Sequence, residues 1–286
     1  MSKALRTVGM IAGGVALLAG TALTAGIGGI AAAGILQSVA TYAGIASTIA
    51  SPGADTLTRL ERPMTAISMF DDRHRAYMVT DGGQFDIRTG RVISLEPKVL
   101  MLPALRMAIG LQGWGSPYTL CDAMSDACEE ATQREFLDKL PTALAAMRLV
   151  APEPPASETR LWVGMFDTEK NAPRMLTVQS GPMPDGDPAP PFELVQSEGA
   201  VSGLTTGELA SILPTGWPEN PVRDGRRILA AQRARPFAAI GGGCGVAGEC
   251  GLYTISRFGV SYRPLVRYPD AVGELADPAA AGRLAA

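Results

Sequence analysis

A single histidine, His74, stands in the 286 residues of this chain. No metal site built on several histidines is open to it, and any Ser-His-Asp or Cys-His arrangement would have to use this one. His74 lies in Asp71-Asp72-Arg73-His74-Arg75, a charged cluster between two apolar runs, and that pattern predicts a solvated hairpin turn. The four cysteines are equally sparing. Neither Cys121 and Cys128 nor Cys244 and Cys250 have the two-residue spacing of a zinc knuckle. Cys121 and Cys128 fall in a helical pattern, where seven residues rise about 10 Å, too far for a bond between them. Cys244 and Cys250 flank a Gly-rich loop that could close a disulfide in an oxidising compartment; the alternative is two buried free thiols. An excess of positive charge is lacking too. The formal net charge is −3, so nucleic acid is not expected as a partner. The glycines Gly241–Gly243 follow a helical pattern rather than a strand, which speaks against a nucleotide site, and no cofactor is expected.

Charge is missing altogether between Arg6 and Asp55. The stretch is rich in Gly, Ala, Ile, Leu, Val and Thr, and a helix apolar on every side cannot stand in water. It needs lipid or protein around it. A signal peptide would explain Lys3, Arg6 and the small residues Thr21 to Ala25, but the apolar composition continues past any cut there. Membrane spans of roughly 20 residues would also fit. Gly9, Gly13, Gly20 and Gly28 give small-xxx-small faces for close packing of helices, in lipid or inside a protein assembly. Residues 1–54 therefore read as a hydrophobic helical anchor or assembly segment, and residues 55–63, where charge returns, as a linker. The segment resembles the apolar N-termini of distal tail proteins of long-tailed bacteriophages, which open with basic residues and run on in Gly, Ala, Ile, Ser and Thr, as Ala40 to Ala50 does.

From Met64 the pattern changes to strands. Met64–Phe70 and Ala76–Thr80 flank the His74 turn, Gln84–Arg88 and Arg91–Leu95 flank Gly90, and Val99–Leu102 and Arg106–Leu111 follow. Two helical patterns come next, Ser116 to Thr132 and Glu135 to Met147. Strands return in Leu161–Phe166 and Arg174–Ser180, and Phe192–Gly203 reads as a strand entering a small-residue turn. Two more helices, Thr206–Leu213 and Asp224–Phe237, lead to a final hairpin, Gly251–Ser256 with Gly259–Tyr268. Residues 64–270 read as one α+β layered domain, and the Ala/Gly/Pro-rich residues 271–286 as a flexible tail.

This order resembles the proteasome β-subunit fold of the N-terminal-nucleophile hydrolases, a four-layer αββα sandwich. The resemblance rests on Thr65 on the first strand, Asp81 at the end of the second, and Lys98 before an apolar strand. It extends to Gln112-Gly113 before the first helix, the segment Trp162–Gly203, and Gly241–Gly243 after the last long helix. It implies a chain-terminal threonine whose own amine is the general base, with Lys98 and Asp81 tuning the proton. Read without it, Thr65 is a strand former, Asp81 a turn residue and Lys98 a solvated strand flank. The chain departs from the family in having Met64 where the family has Gly, in Pro63 one residue earlier, and in lacking an acidic residue ahead of Gly241.

Together the two resemblances imply a structural virion component at the distal end of a phage tail, with a fold kept without its chemistry. Its partners would be copies of itself, as a trimer, and tail hub proteins. The alternatives are a membrane-tethered threonine peptidase or amidase activated by cleavage before Thr65, and a secreted or membrane-anchored binding module.

Overall fold

A computed structural model describes residues 66–86, 89–113, 115, 119–120, 124, 132–149, 158–182, 189–235, 244–280 and 282–284. Outside these lie the apolar segment with Gly9, Gly13, Gly20 and Gly28, the linker, Thr65, Cys121, Cys128 and Gly241–Gly243. Among the described residues no helix is long and apolar enough to cross a membrane.

The protein is mixed α and β, and two antiparallel sheets dominate it. The first runs β10-β1-β2-β11-β12-β13 and the second β5-β6-β7-β8-β9. In the first sheet, β1 (Ile67–Asp71) and β2 (Arg75–Thr80) form the expected hairpin, and β2 pairs on its other edge with β11 (Glu249–Ser256). The turn between β1 and β2 closes because Asp72 Oδ1 accepts from His74 N at 2.7 Å and Arg75 N at 2.8 Å. Tyr77 Oη donates to Asp72 Oδ2 at 2.7 Å. His74 is exposed there, as its charged neighbours predict. β12 (Gly259–Arg267) completes the hairpin with β11. A separate two-stranded ribbon joins β3 (Gly83–Asp86) to β4 (Arg91–Leu95). The second sheet is built on β5 (Val99–Leu102), β6 (Met107–Gln112), β7 (Arg160–Asp167) and β8 (Ala172–Gln179).

Period-two alternation decides which face each side chain takes. Along β2, Ala76 and Met78 join Ile67, Met69, Ala108, Trp162 and Ile255 in the layer between the sheets. Tyr77 and Val79 turn to the opposite face and pack with Leu229. In β6, Ala108 faces the other sheet, while Met107, Ile109 and Leu111 face helix α1 (Gln133–Leu149). Gly110 and Gly164 sit where the sheets press together. A Cβ on Gly110 would lie 2.9 Å from Ile67 Cδ1, and one on Gly164 3.1 Å from Ile255 Cδ1.

The helices have readable causes. α1 buries Phe136, Leu140, Leu144 and Met147, a three-to-four-residue spacing that makes one apolar face. Thr132 and Glu135 cap its start reciprocally: Thr132 N donates to Glu135 Oε2 at 2.8 Å, and Glu135 N donates to Thr132 Oγ1 at 3.3 Å. Thr205 and Glu208 do the same for α2 (Thr206–Ile212). α3 (Pro221–Arg233) starts with Asn220 as cap and Pro221 in the first turn, and buries Gly225, Ile228, Leu229 and Gln232. It begins and ends a few residues before the stretch read from the sequence.

Two expectations are corrected. Phe192–Gly203 is not one strand: β9 (Val195–Gln196) pairs with β8 in the second sheet, and β10 (Ala200–Val201) pairs with β1 in the first. Gly199, at φ +100°, makes the crossover; a Cβ there would stand 2.7 Å from Met69 O. The stretch after Asp270 is not frayed. Val92 N donates to Glu274 O at 2.8 Å, Gly273 N donates to Val92 O at 2.8 Å, and β13 (Arg283–Leu284) pairs with β12. Backbone bonding to β4 and β12, and the buried methyl of Ala276 against Phe85 and Val92, tie the segment down despite its small, polar composition.

Leu140 is fully buried beneath the second sheet. Leu140→Ala is expected to lower unfolding free energy by about 2–5 kcal/mol, read from the urea midpoint.

Candidate functional site

β2 ends at Thr80, and the chain turns at Asp81 into Gly82 and β3. That turn carries the Asp81 side chain into the interior, where each of its oxygens accepts twice. Oδ1 accepts from Ala66 N at 3.2 Å and from Lys98 Nζ at 2.7 Å. Oδ2 accepts from Gly83 N at 3.0 Å and from Ala247 N at 3.1 Å. Lys98, the residue before β5, thus crosses from the second sheet to the first. Both side chains are almost wholly removed from water, at 3% and 0% relative exposure. Asp81 is therefore more than a turn residue and Lys98 is not a solvated flank.

Burial decides the electrostatics of the pair. It pushes the Asp81 carboxyl up, against the pull of Lys98 and of the Gly83 and Ala247 amides. It pushes the Lys98 ammonium down, against the attraction of Asp81. The Phe85 ring lies beside the ammonium, its centroid 5.8 Å from Nζ. A lysine brought down in this way exchanges protons nearer neutrality than a solvated one.

Thr65 lies outside the described residues, but the residue after it is fixed. Ala66 N is held by Asp81, and Ile67 N donates to Ser202 Oγ at 2.9 Å, with Ser202 N returning a bond to Ile67 O at 3.1 Å. Gln232 on α3 backs this strap, donating through Nε2 to Ser202 O at 2.7 Å. The start of β1 is thus gripped from both sides by side chains that come from distant parts of the chain.

Cys244 and Cys250 do not form the disulfide that their spacing allowed. Both are free and buried. Cys244 Sγ lies 3.3 Å from Val246 O, and Cys250 Sγ lies 3.9 Å from Gly248 O, so each thiol is directed at backbone carbonyls. Burial pushes both thiols up, which leaves them protonated at neutral pH. Gln112 closes β6, and Gly113 follows at φ +104°, where a Cβ would collide with Glu158 O at 2.1 Å. Among the described residues no group of three or more His, Cys, Asp or Glu side chains is placed to hold a metal ion.

Three contributors escaped the sequence. Ser202 lies in the small-residue turn but nothing marked its hydroxyl. Gln232 lies on the apolar face of α3 with Ile228 and Leu229, but nothing in the sequence marked its amide as a partner of Ser202. Ala247 acts through its backbone, which has no signature. No protein-family model matches the chain, and no curated protein matches it.

A buried charge stripped of its partner is strongly destabilising. Lys98→Met is therefore expected to cost about 3–5 kcal/mol in urea unfolding, and the double change Lys98→Met with Asp81→Asn is expected to cost less than that single one.

Proposed function

We propose that residues 64–270 form an N-terminal-nucleophile hydrolase-type domain, a four-layer αββα sandwich, which residues 1–54 tether to a virion tail assembly until the chain is cut. In this reading, cleavage before Thr65 frees a threonine nucleophile beside Lys98 and Asp81. The single observation that carries the chemistry is the buried 2.7 Å contact between Lys98 Nζ and Asp81 Oδ1, with the other bond on that oxygen coming from the amide next to Thr65. Charged groups removed from water and set against one another recur at catalytic sites, which supports this reading of the pair at the foot of the first strand. The layering is supported by α1 against one face of the second sheet and α3 against the outer face of the first.

The chemistry follows from the residues. The freed α-amine of Thr65 takes the proton of its own hydroxyl, and the oxygen bonds to the carbonyl carbon of an amide. The C–N bond then breaks, the amine leaves with the proton, and water releases the acyl group to restore the hydroxyl. Lys98, fixed by Asp81, places positive charge beside the reacting oxygen and lowers the proton affinity of the neighbouring amine. Substrates of this chemistry are peptide or other amide bonds.

A second reading keeps the fold as a tail component without the chemistry. Met64 and Pro63, at the bond that would be cut, favour it. The mass of the native chain separates the two. The hydrolase reading predicts a product beginning at Thr65 that Thr65→Ala abolishes; a full-length chain in particles, unchanged by that substitution, establishes the second. Hydrolysis of an amide substrate by the cut chain is expected to accelerate with rising pH as the freed amine loses its proton, ordinarily near pH 7.7–8.0. Lys98→Met is expected to move that limb upward. Removing residues 1–54 should give a monomer; a truncated chain that still forms the full assembly would refute the attachment role.

A further inference from the structure

The segment after Asp270 reaches the site through a second buried ion pair. Arg233, at the end of α3 and 2% exposed, holds Asp270 with both guanidinium nitrogens at 2.8 Å. The same guanidinium donates to Val246 O at 2.5 Å and to Asp277 O at 2.6 Å, and lies 4.3 Å from the Tyr268 ring centroid. Asp270 Oδ2 also accepts from Gly248 N at 3.0 Å. The preceding amide, Ala247 N, donates to Asp81 Oδ2, and Ala247 O accepts from Gly82 N at 3.1 Å. Two carboxylates, each paired with a buried cation, therefore take consecutive amides of one loop. The peptide whose N–H Asp81 receives is held directly at Val246 O by Arg233, and its neighbour across Ala247 is held at Gly248 N by Asp270.

We infer that Asp270 and Arg233 are positioning residues for the Asp81–Lys98 pair, acting through the backbone of residues 246–248, so that the C-terminal segment completes the site. Neither residue touches the pair directly. Their effect passes through two consecutive peptide units: Arg233 holds Val246 O, in the same peptide as the Ala247 N–H, and Asp270 holds the Gly248 N–H of the next. Loss of the Ala247 bond removes one of the four donors of Asp81 and favours the protonated carboxyl. The charged and titratable groups around Asp81 are Lys98, which keeps its own bond, and the Cys250 and Cys244 thiols, which stay neutral because burial pushes them up. The consequence for rate rests on the hydrolase reading; the effect on Asp81 does not.

The test uses the full chain with Asp270→Asn and, to avoid leaving Arg233 without a counter-charge, the paired change Arg233→Met with Asp270→Leu. Two readouts are independent of activity: the pH titration of the Asp81 carboxyl carbon by NMR, and hydrogen exchange at Ala66 and Gly83, the other amides that Asp81 receives. The expected result is faster exchange at both amides and an Asp81 midpoint raised by roughly one pH unit, a tenfold change in its acid constant. Restoration by Asp270→Glu, which keeps the charge, would support the charge as the operative feature. Changes confined to residues 244–248 and 268–277, with Asp81 and its two amides as in the native chain, would overturn the inference. A shifted Asp81 in a chain that is never cut before Thr65 would support the clamp while removing the hydrolase reading. A cut chain with an unshifted Asp81 would do the reverse.

Discussion

Everything near the start of β1 depends on one carboxylate that has no water to turn to. Asp81 is buried on all sides, and four donors from four separate stretches of chain converge on its two oxygens. An isolated carboxylate in such a place would be far too costly to keep ionised, so the stretches that supply the donors are constrained together. β1 is fixed through Ala66, β5 through Lys98, β3 through Gly83, and the entry to β11 through Ala247. The contact thereby joins the two large sheets and the small ribbon at a single point.

The apolar layers explain how that point is held in place. The residues between the sheets, among them Ile67, Met78, Trp162 and Ile255, are fully or almost fully buried, and the close approach at Gly110 and Gly164 leaves no slack. Such packing resists the small shifts that would lengthen a 2.7 Å contact. At the far side of Asp81, a second pair, Arg233 with Asp270, fixes the loop that presents Ala247. The site is therefore held by two buried ion pairs that share one loop, with the apolar interior packed around them.

Much of the fold was legible in the sequence because its strands alternate and its turns carry their own chemistry. Asp71–Arg75 predicted the first hairpin, and the strands Leu161–Phe166 and Arg174–Ser180 are joined by a turn that Asp167 Oδ1 closes by accepting from Glu169 N and Lys170 N at 3.0 Å. The Thr-x-x-Glu pattern at Thr132 would have fixed the start of α1 more closely than apolar spacing did, whereas the start of α2 at Thr206 was read correctly. The crossover between β9 and β10 was not legible, because two-residue strands have no period. The C-terminal segment was misread as loose because Ala, Gly and Pro carry no sign that their backbone will be paired. For the site, Asp81 and Lys98 stand 17 residues apart, and only the family resemblance suggested that they meet. Arg233 and Asp270, 37 residues apart, had no such prompt.

The central proposal is geometric: the paired lysine and aspartate lie beside Thr65, two residues ahead of β1. A crystal structure that shows the side chains of residues 65–68 tests it most directly. The account predicts Thr65 Oγ within about 3 Å of Lys98 Nζ, at hydrogen-bonding distance. A threonine side chain directed away from the lysine, with another group filling the space beside Nζ, would contradict it.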